Sequence, residues 1–117
     1  MYFLRTIQDG LHGTISEIKM QCITIPGTAV LSCQYEKIPA LLRWQRRGSI
    51  ISTGSTINPA LNESERFRVT NKLQDKQYEL QILKTTEEDL GLYVCVAQLD
   101  STTTETKVIL RLAGKII

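Results

Sequence analysis

The sequence predicts an all-β fold, an antiparallel sandwich or barrel, on three observations. Five stretches alternate apolar and polar residues with the period of two that is typical of strands: 29–34, 42–45, 67–70, 78–83 and 107–112. Turn-forming stretches such as Arg47-Gly48-Ser49 separate them. No window of 11–18 residues has helical spacing of apolar residues without a breaker. We expect one helical turn, at 85–89, where a threonine can cap an acidic run.

Length and charge narrow the class of protein. The 117 residues suffice for one domain, and 42% hydrophobic residues allow a real core. A net charge of +2 gives no electrostatic reason to expect nucleic acid or an anionic membrane as partner. No apolar run reaches the roughly 18 residues that span a bilayer. The apolar start at 1–4 is followed at once by Arg5, so it lacks the apolar region of a signal peptide.

The residues around two of the three cysteines form a more specific pattern. Cys33 is followed eleven residues later by Trp44, and a D-x-G-x-Y-x-C run ends at Cys95. Over about residues 16–112 this order resembles an immunoglobulin-superfamily domain. Arg66 follows Trp44 by twenty-two residues, which is room for strands C′ and C″. The resemblance therefore implies a Greek-key β-sandwich with a V-type frame rather than the shorter I and C types.

The resemblance also implies roles for single residues. Cys33 and Cys95 would form a disulfide between strands B and F, with Trp44 on strand C packed against it. Tyr93 matches the tyrosine corner, and Gly91 suits a tight approach or a positive φ. Asp89 would pair with Arg66 at the start of strand D. The expected core residues are Trp44, Tyr93, Leu31, Leu80 and Ile82.

Further predictions concern the ends of the chain and the third cysteine. We expect an extension over 1–15, the V-type domain over 16–113 and a tail over 114–117. Cys22 leaves three readings open: a buried thiol, which we favour, an intermolecular bridge, or a bond to a segment outside this chain.

Details of strands C′ and G narrow the resemblance. Residues 104–112 lack the Phe-Gly-x-Gly of rearranged antigen receptors, which argues against an antibody or T-cell-receptor chain. The stretch WQRRGSIISTG, followed by RFRVT and YELQIL, is similar to cell-surface adhesion proteins of the lachesin and neurotrimin kind.

Catalytic and metal chemistry find little support in the sequence. His12 is the only histidine, with no cysteine or carboxylate at metal-ligand spacing and no serine and aspartate placed for a triad. The acidic run at 87–89 is expected to be a solvated turn with one structural aspartate, and no glycine-rich phosphate loop occurs. We therefore expect no enzyme activity, no cofactor and no metal.

Strand alternation predicts a binding surface instead. If Tyr93, Cys95 and Ala97 point inward, the other side of strand F faces outward together with strands C, C′ and G. That outer face should have a partly exposed aliphatic centre of Val94, Val96 and Ile109, joined by Ile50 or Ile51. Its expected polar rim is Arg43, Gln45, Lys107 and Arg111. An apolar centre with a polar rim is the anatomy of a protein interface, although a neighbouring domain or the N-terminal segment could cover the same face.

These observations predict a non-catalytic recognition module of a cell-surface or secreted protein. We expect it to bind a protein partner in cell adhesion through the outer face of strands G, F, C and C′. Homophilic and heterophilic contacts, including a homodimer, both stay open. The disulfide and the Asn62-Glu63-Ser64 glycosylation acceptor indicate an extracellular location. The alternatives are a secreted immune module that binds through loops such as 99–103, an intracellular titin-like structural module with Cys33 and Cys95 reduced, and an enzyme.

Overall fold

The computed structural model describes residues 2–9 and 14–113, with side chains from residue 17 onward. The described part of the chain forms ten strands: β1 (Tyr2–Asp9), β2 (Thr14–Ile23), β3 (Ala29–Gln34), β4 (Leu41–Arg46), β5 (Ser49–Thr53), β6 (Thr56–Ile57), β7 (Phe67–Lys72), β8 (Gln77–Ile82), β9 (Gly91–Gln98) and β10 (Thr103–Leu112). Three single-turn 3₁₀ helices complete it, at Ser64–Arg66, Leu73–Asp75 and Glu87–Asp89. The all-β prediction is confirmed.

The strands form two sheets that pack as a sandwich. One has seven strands in the order β1-β2-β10-β9-β4-β5-β6, and the other has three in the order β3-β8-β7. Neighbouring strands are antiparallel except β2 and β10, which are parallel. Strands β3 to β10 are strands B, C, C′, C″, D, E, F and G of the predicted frame. Both strands expected between Trp44 and Arg66 are therefore present.

Strict alternation of apolar residues produces the core between the sheets. On β8, every second side chain is fully buried, while those between are half-exposed to the outside. The five predicted core residues, Leu31, Trp44, Leu80, Ile82 and Tyr93, are all at most 1% exposed. The Trp44 ring stacks on Tyr78, with centroids 6.2 Å apart and planes 17° from parallel. Stacked rings of this kind add about 0.5–1.5 kcal/mol to the area they bury.

A two-residue turn fixes the register between strands C and C′. Arg47 and Gly48, between β4 and β5, both have positive φ, at 51° and 77°. Two consecutive left-handed residues match the right-handed twist of the flanking strands in a tight hairpin. The turn sets Gln45 opposite Ile50, after a register shift between Trp44 and Gln45.

The edge of the larger sheet is formed by an N-terminal hairpin. Strand β1 pairs antiparallel with β2 from Tyr2–Gln21 to Asp9–Thr14, and β2 in turn pairs with β10 along its whole length. Strand β2 starts at Thr14 and so runs across the expected boundary between an extension over 1–15 and the domain over 16–113. That boundary stays a prediction, and the tail over 114–117 lies outside the described residues.

Candidate functional site

A disulfide between Cys33 and Cys95 links the two sheets at the centre of the sandwich. The cysteines are 62 residues apart in sequence, and their Cα atoms are separated by 6.4 Å. Trp44 is the register partner of Cys95 across β4 and β9, and all three side chains are buried. The pairing expected from the resemblance is confirmed.

Arg66 and Asp89 form an ion pair at the end of the sandwich where β9 begins. Arg66 Nη1 donates to Asp89 Oδ2 and Arg66 Nη2 to Asp89 Oδ1, both at 2.9 Å. Arg66 Nη1 also donates to the carbonyl of Leu83 at 3.0 Å. The expected turn is the 3₁₀ helix Glu87–Asp89, and the Asp89 carboxylate accepts the backbone N–H of Thr86 at 2.8 Å. The pair therefore ties the start of β7 to the turn between β8 and β9.

Opposing effects set the ionisation of Asp89. Burial alone would raise its pKa, but hydrogen bonds from Arg66 and the Thr86 N–H, with the charges of Arg66 and Arg46, outweigh burial. The pKa of Asp89 is therefore held below its ordinary value. On the other partner, the hydrogen bond to Asp89 raises the pKa of Arg66. Asp89 is thus a structural anion and is unsuited to act as a general acid.

Tyr93 and Gly91 form the predicted corner beside this pair. The Tyr93 hydroxyl donates to the carbonyl of Asp89 at 2.6 Å, and Gly91 has φ +127°. Burial raises the pKa of Tyr93 to about 12, partly offset by nearby positive charge, chiefly that of Arg46. The start of β9 is consequently fixed by one aromatic side chain and one glycine backbone.

Arg46 belongs to this structural network, and sequence reasoning missed it. In the sequence it is one of three arginines on or beside strand C, with Arg43 and Arg47. In the structure its Nη2 donates to the carbonyls of Glu88 at 2.8 Å and Leu90 at 2.7 Å. Its guanidinium carbon also lies 4.8 Å from the centre of the Tyr93 ring. The alternation of β4 was a usable signal, because Arg46 has the same inward parity as Trp44.

The outward side of β4, β5, β9 and β10, called here the outer face, has an ordered pattern of side chains. Strand register defines rows of side chains that run across the sheet from β10 to β5. One row consists of Ile109 and Leu92. The next row consists of Lys107, Val94, Gln45 and Ile50, in that order. The next row consists of Glu105, Val96 and Arg43. Ile109, Leu92, Val94 and Val96 therefore form an aliphatic band on β9 and β10, and Gln45 separates Ile50 from this band.

Exposure within this band differs from the expectation at one residue. Val94 and Ile109 are half-buried, as expected for partly exposed positions. Val96, however, is only 3% exposed, so the expectation of a partly exposed Val96 is wrong. Val96 lies in register between Arg43 and Glu105, whose long side chains flank it on the same face. Long charged side chains cover apolar surface with their stems.

Two other aliphatic residues are more exposed than the expected centre. Leu92 is 44% and Ile50 is 43% exposed, whereas Ile51 is buried at 3%. The sequence left Ile50 and Ile51 undecided, and the structure assigns the outer face to Ile50. The displayed apolar set is therefore Leu92, Val94, Ile109 and Ile50.

The rim of the outer face is mainly cationic. Arg43 and Lys107 are half-buried and Arg111 is exposed. Arg43 Nε donates to Gln45 Oε1 at 3.1 Å, which orders both side chains on the surface. Among the described residues of β4, β5, β9 and β10 on this face, Glu105 is the one anion, so positive charge is in excess.

The remaining candidates lie elsewhere. Cys22 is a half-buried free thiol on β2, in register with Arg111. Asn62 is exposed in the loop between β6 and the 3₁₀ helix Ser64–Arg66. His12 lies outside the described residues. A cavity of about 310 Å³ opens at the other end of the sandwich, where Tyr35, Leu99 and Thr102 are among its lining residues.

Comparison with known proteins places this arrangement in a class. A two-sheet sandwich with a buried cystine, its tryptophan and a tyrosine corner is the immunoglobulin fold. The family model of the immunoglobulin I-set domain matches residues 15–112, so the chain belongs to that family. The sequence predicted a V-type frame, and the structure does contain the short C″ strand β6 in addition to C′.

Solved structures show the same fold at low sequence identity. The protein Tim-1 superposes with a TM-score of 0.66 at 15% identity, over 84% of this chain and 94% of that chain. The second Ig domain of the mouse polymeric immunoglobulin receptor gives 0.64 at 17%, over 83% and 97%. A crystal structure of titin domains gives 0.62 at 17%, covering 79% of this chain and 28% of that one. The chain thus spans under a third of the titin fragment.

No curated protein sequence matches the chain. In the part of the chain that the structure describes, no helix is long and apolar enough to cross a membrane. The narrower similarity to adhesion proteins of the lachesin and neurotrimin kind stays a prediction.

Proposed function

We propose that this immunoglobulin domain is a non-catalytic protein-recognition module of a cell-surface or secreted protein, and that it binds its partner through the outer face. The observation on which this rests is the aliphatic band of Leu92, Val94 and Ile109, with Ile50 beyond Gln45; Leu92 and Ile50 are exposed, and Val94 and Ile109 are half-buried. The outer face of a solvated antiparallel sheet is ordinarily polar. A contiguous apolar band with a polar rim marks a contact surface.

The charges around the band indicate the chemistry of the partner. Arg43, Lys107 and Arg111 border it, against the single carboxylate of Glu105. Two copies meeting face to face would bring like charges together, which disfavours that contact. The partner that fits best is a different protein with an apolar patch and an acidic rim. Contact between two copies is then an outcome for the experiment to distinguish.

The extracellular location is part of the same proposal. The Cys33–Cys95 disulfide is stable in oxidising compartments and uncommon in the cytosol. Asn62 precedes Glu63 and Ser64 in an exposed loop, so an N-linked glycan at Asn62 would be accommodated without disturbing a strand. It would also leave the outer face open, because the loop lies beyond β6 at the edge of the sheet.

Binding of the folded domain to cells tests the proposal. The domain is displayed as a fluorescent tetramer and its binding to a panel of cell lines is measured by flow cytometry. Val94→Glu should reduce binding by about thirtyfold or more, since a central interface residue contributes about 2 kcal/mol or more. Val30→Glu is the matched control, because Val30 is 40% exposed on the smaller sheet.

The results distinguish contact through the outer face from contact through the loops and from contact between two copies. Equal binding by folded Val94→Glu and wild-type tetramers rules out contact through the outer face and favours the loops at 99–103. Sedimentation of the wild-type domain over a concentration range detects contact between copies. If the wild type neither binds any cell nor self-associates, a recognition role for this domain is wrong.

A second candidate is an intracellular structural module, favoured by the similarity to titin domains. In that reading Cys33 and Cys95 are thiols in the cell. Thiol labelling of protein taken rapidly from its native source distinguishes the two. One reactive cysteine after denaturation, namely Cys22, supports the extracellular module, and three support the intracellular one.

A further inference from the structure

The smaller sheet ends in an open edge at β3. Strand β3 pairs with β8 on one side, and among the described strands none pairs with it on the other. The N–H of Tyr35 donates to the carbonyl of Lys76 at 3.0 Å, so in this run every second residue directs its backbone toward β8. The residues between them, Val30, Ser32 and Gln34, direct their N–H and C=O groups outward to the edge.

A lysine from the opposite sheet covers the middle of this edge. Lys19 lies on β2, and its Nζ donates to the carbonyl of Ser32 at 3.2 Å. Lys19 as a whole is only 5% exposed to solvent, and burial to this extent is rare for a lysine. Lys19 has inward parity, since its register partner on β10 is the buried Val108. An ammonium group therefore occupies the place where the N–H of another strand would bond.

The position of Ser32 makes this contact decisive for pairing between copies. Two β3 edges can meet antiparallel about a two-fold axis, which pairs each Val30 with a Gln34 and the two Ser32 residues with each other. Each of these facing pairs would exchange two backbone hydrogen bonds. Lys19 occupies the acceptor of the central pair in both copies. It thereby blocks the one register in which all three outward residues find partners.

We propose that the β3 edge is a latent strand-pairing surface for a second copy of this chain, and that Lys19 keeps it closed. Inward-pointing charges are one of the means by which β-sandwiches protect an open edge. The proposal is independent of the outer face, which lies on the other sheet. It assigns to Lys19 the role of a specificity residue that keeps the domain monomeric at this edge.

Replacement of the ammonium group tests the assignment. Lys19→Met keeps most of the buried stem and removes the charge and the hydrogen bonds. Sedimentation equilibrium should show the variant forming dimers at concentrations at least about tenfold lower than the wild type, because the central pair regains two hydrogen bonds. All variants are made on a Val94→Glu background, so that contact through the outer face does not contribute.

Three further variants make the outcome specific. Lys19→Arg should stay monomeric, because it restores a cationic donor. Lys72→Met, which removes an exposed lysine paired with Glu79 at 3.2 Å on β7, should also leave the monomer unchanged. Adding Val30→Pro to Lys19→Met should abolish the dimer, since proline lacks the outward N–H that the pairing needs. Hydrogen exchange at the Ser32 amide should slow with concentration in Lys19→Met alone.

Two results would contradict the proposed role of Lys19. A folded Lys19→Met domain that sediments as a monomer at every concentration contradicts it. So does a dimer that persists when Val30→Pro is added, because that dimer pairs elsewhere. If Lys19→Met does not fold, Lys19→Leu, which also lacks a donor, is measured in its place, and the same two outcomes decide.

Discussion

Strand β9 presents apolar side chains on both of its sides, and the two sides differ in what holds them. On the inner side, Tyr93 and Cys95 are fully buried and are fixed by a hydrogen bond to Asp89 and by the bond to Cys33. On the outer side, Leu92 and Val94 remain partly in water. Pairing of β9 with β10 places Leu92 beside Ile109 and Val94 beside Lys107.

The difference indicates how the domain separates stability from recognition. Inner-side residues take part in links between elements far apart in sequence, so their loss should lower the free energy of unfolding. Outer-side residues make few such links, so replacement should change binding and leave the fold intact. Replacements on the inner side should therefore lower stability more than replacements on the outer side.

Loss of the disulfide should produce the largest change. Replacing Cys33 and Cys95 together by alanine should lower the free energy of unfolding by roughly 4 kcal/mol, the chain-entropy value for closing a loop of this length. Urea unfolding followed by Trp44 fluorescence measures it. Non-reducing peptide mapping of the wild type provides the control: a peptide that joins Cys22 to either partner would contradict the assignment.

Asp89→Ala should rank second. It leaves the half-buried Arg66 guanidinium with the exposed carboxylate of Glu63, 3.2 Å from Nε, as its remaining ion pair, and breaking a buried pair costs about 3–5 kcal/mol. The lower end applies because the Arg66 side chain is 16% exposed. Thermal unfolding should show a clear fall in Tm, and an unchanged Tm would rule out the structural role of the pair.

The same pair should make stability depend on acid. The pKa of Asp89 is lower in the folded than in the unfolded chain, so its contribution is complete above the unfolded value of 3.8. That contribution is lost as pH falls through the folded pKa. In Asp89→Asn, the fall in stability below pH 4 should be shallower than in the wild type. Parallel curves for the two proteins would assign the acid dependence to other carboxylates.

Tyr93→Phe should have a smaller effect, about 1 kcal/mol, because it removes one hydroxyl that donates to the carbonyl of Asp89. Its pH dependence is informative. The folded pKa of about 12 exceeds the unfolded 10.0, so stability is present below pH 10 and lost as pH rises toward 12. The phenylalanine variant should lose less stability over that interval than the wild type does.

Arg111→Glu should have no measurable effect on stability. Surface changes away from packed features ordinarily alter the free energy of unfolding by about 0.5 kcal/mol or less. A rim charge instead affects the association rate and its salt dependence. Binding of the variant to cells should therefore be slower and less sensitive to salt than that of the wild type. A large fall in Tm would show that Arg111, like Arg46, belongs to the inner network.

Much of the frame followed from the sequence because it depends on local periodicity and on a spaced motif. Alternation along β8 predicted its buried side, and a threonine before an acidic run predicted the turn at 85–89. The resemblance to immunoglobulin domains implied the disulfide and the tyrosine corner. Each of these features depends on residue types that play the same structural part in many different proteins. The candidate face was also predictable in outline, since parity alone assigns Val94 and Ile109 to the outside.

What the sequence did not predict depends on neighbours across strands. Parity predicts that Val96 points outward, but it does not predict that Val96 lies in register between the long side chains of Arg43 and Glu105 and is buried. A shift of register between β4 and β5 decides that Ile50 and not Ile51 reaches the outer face. Burial is a property of the surrounding side chains, and these come from strands distant in sequence.

The sequence by itself determined the all-β class and the inner side of strands such as β8 and β9, because period and residue type are local. Its resemblance to immunoglobulin domains implied the cystine with its tryptophan. The tertiary structure alone decided that Arg46 holds the turn before β9, and that Lys19 reaches from one sheet to the open edge of the other. Both are long cationic side chains with several available directions. The packing of the two sheets decides which carbonyl each side chain contacts. That packing brings together residues that are distant in sequence, so the local sequence cannot predict the contact.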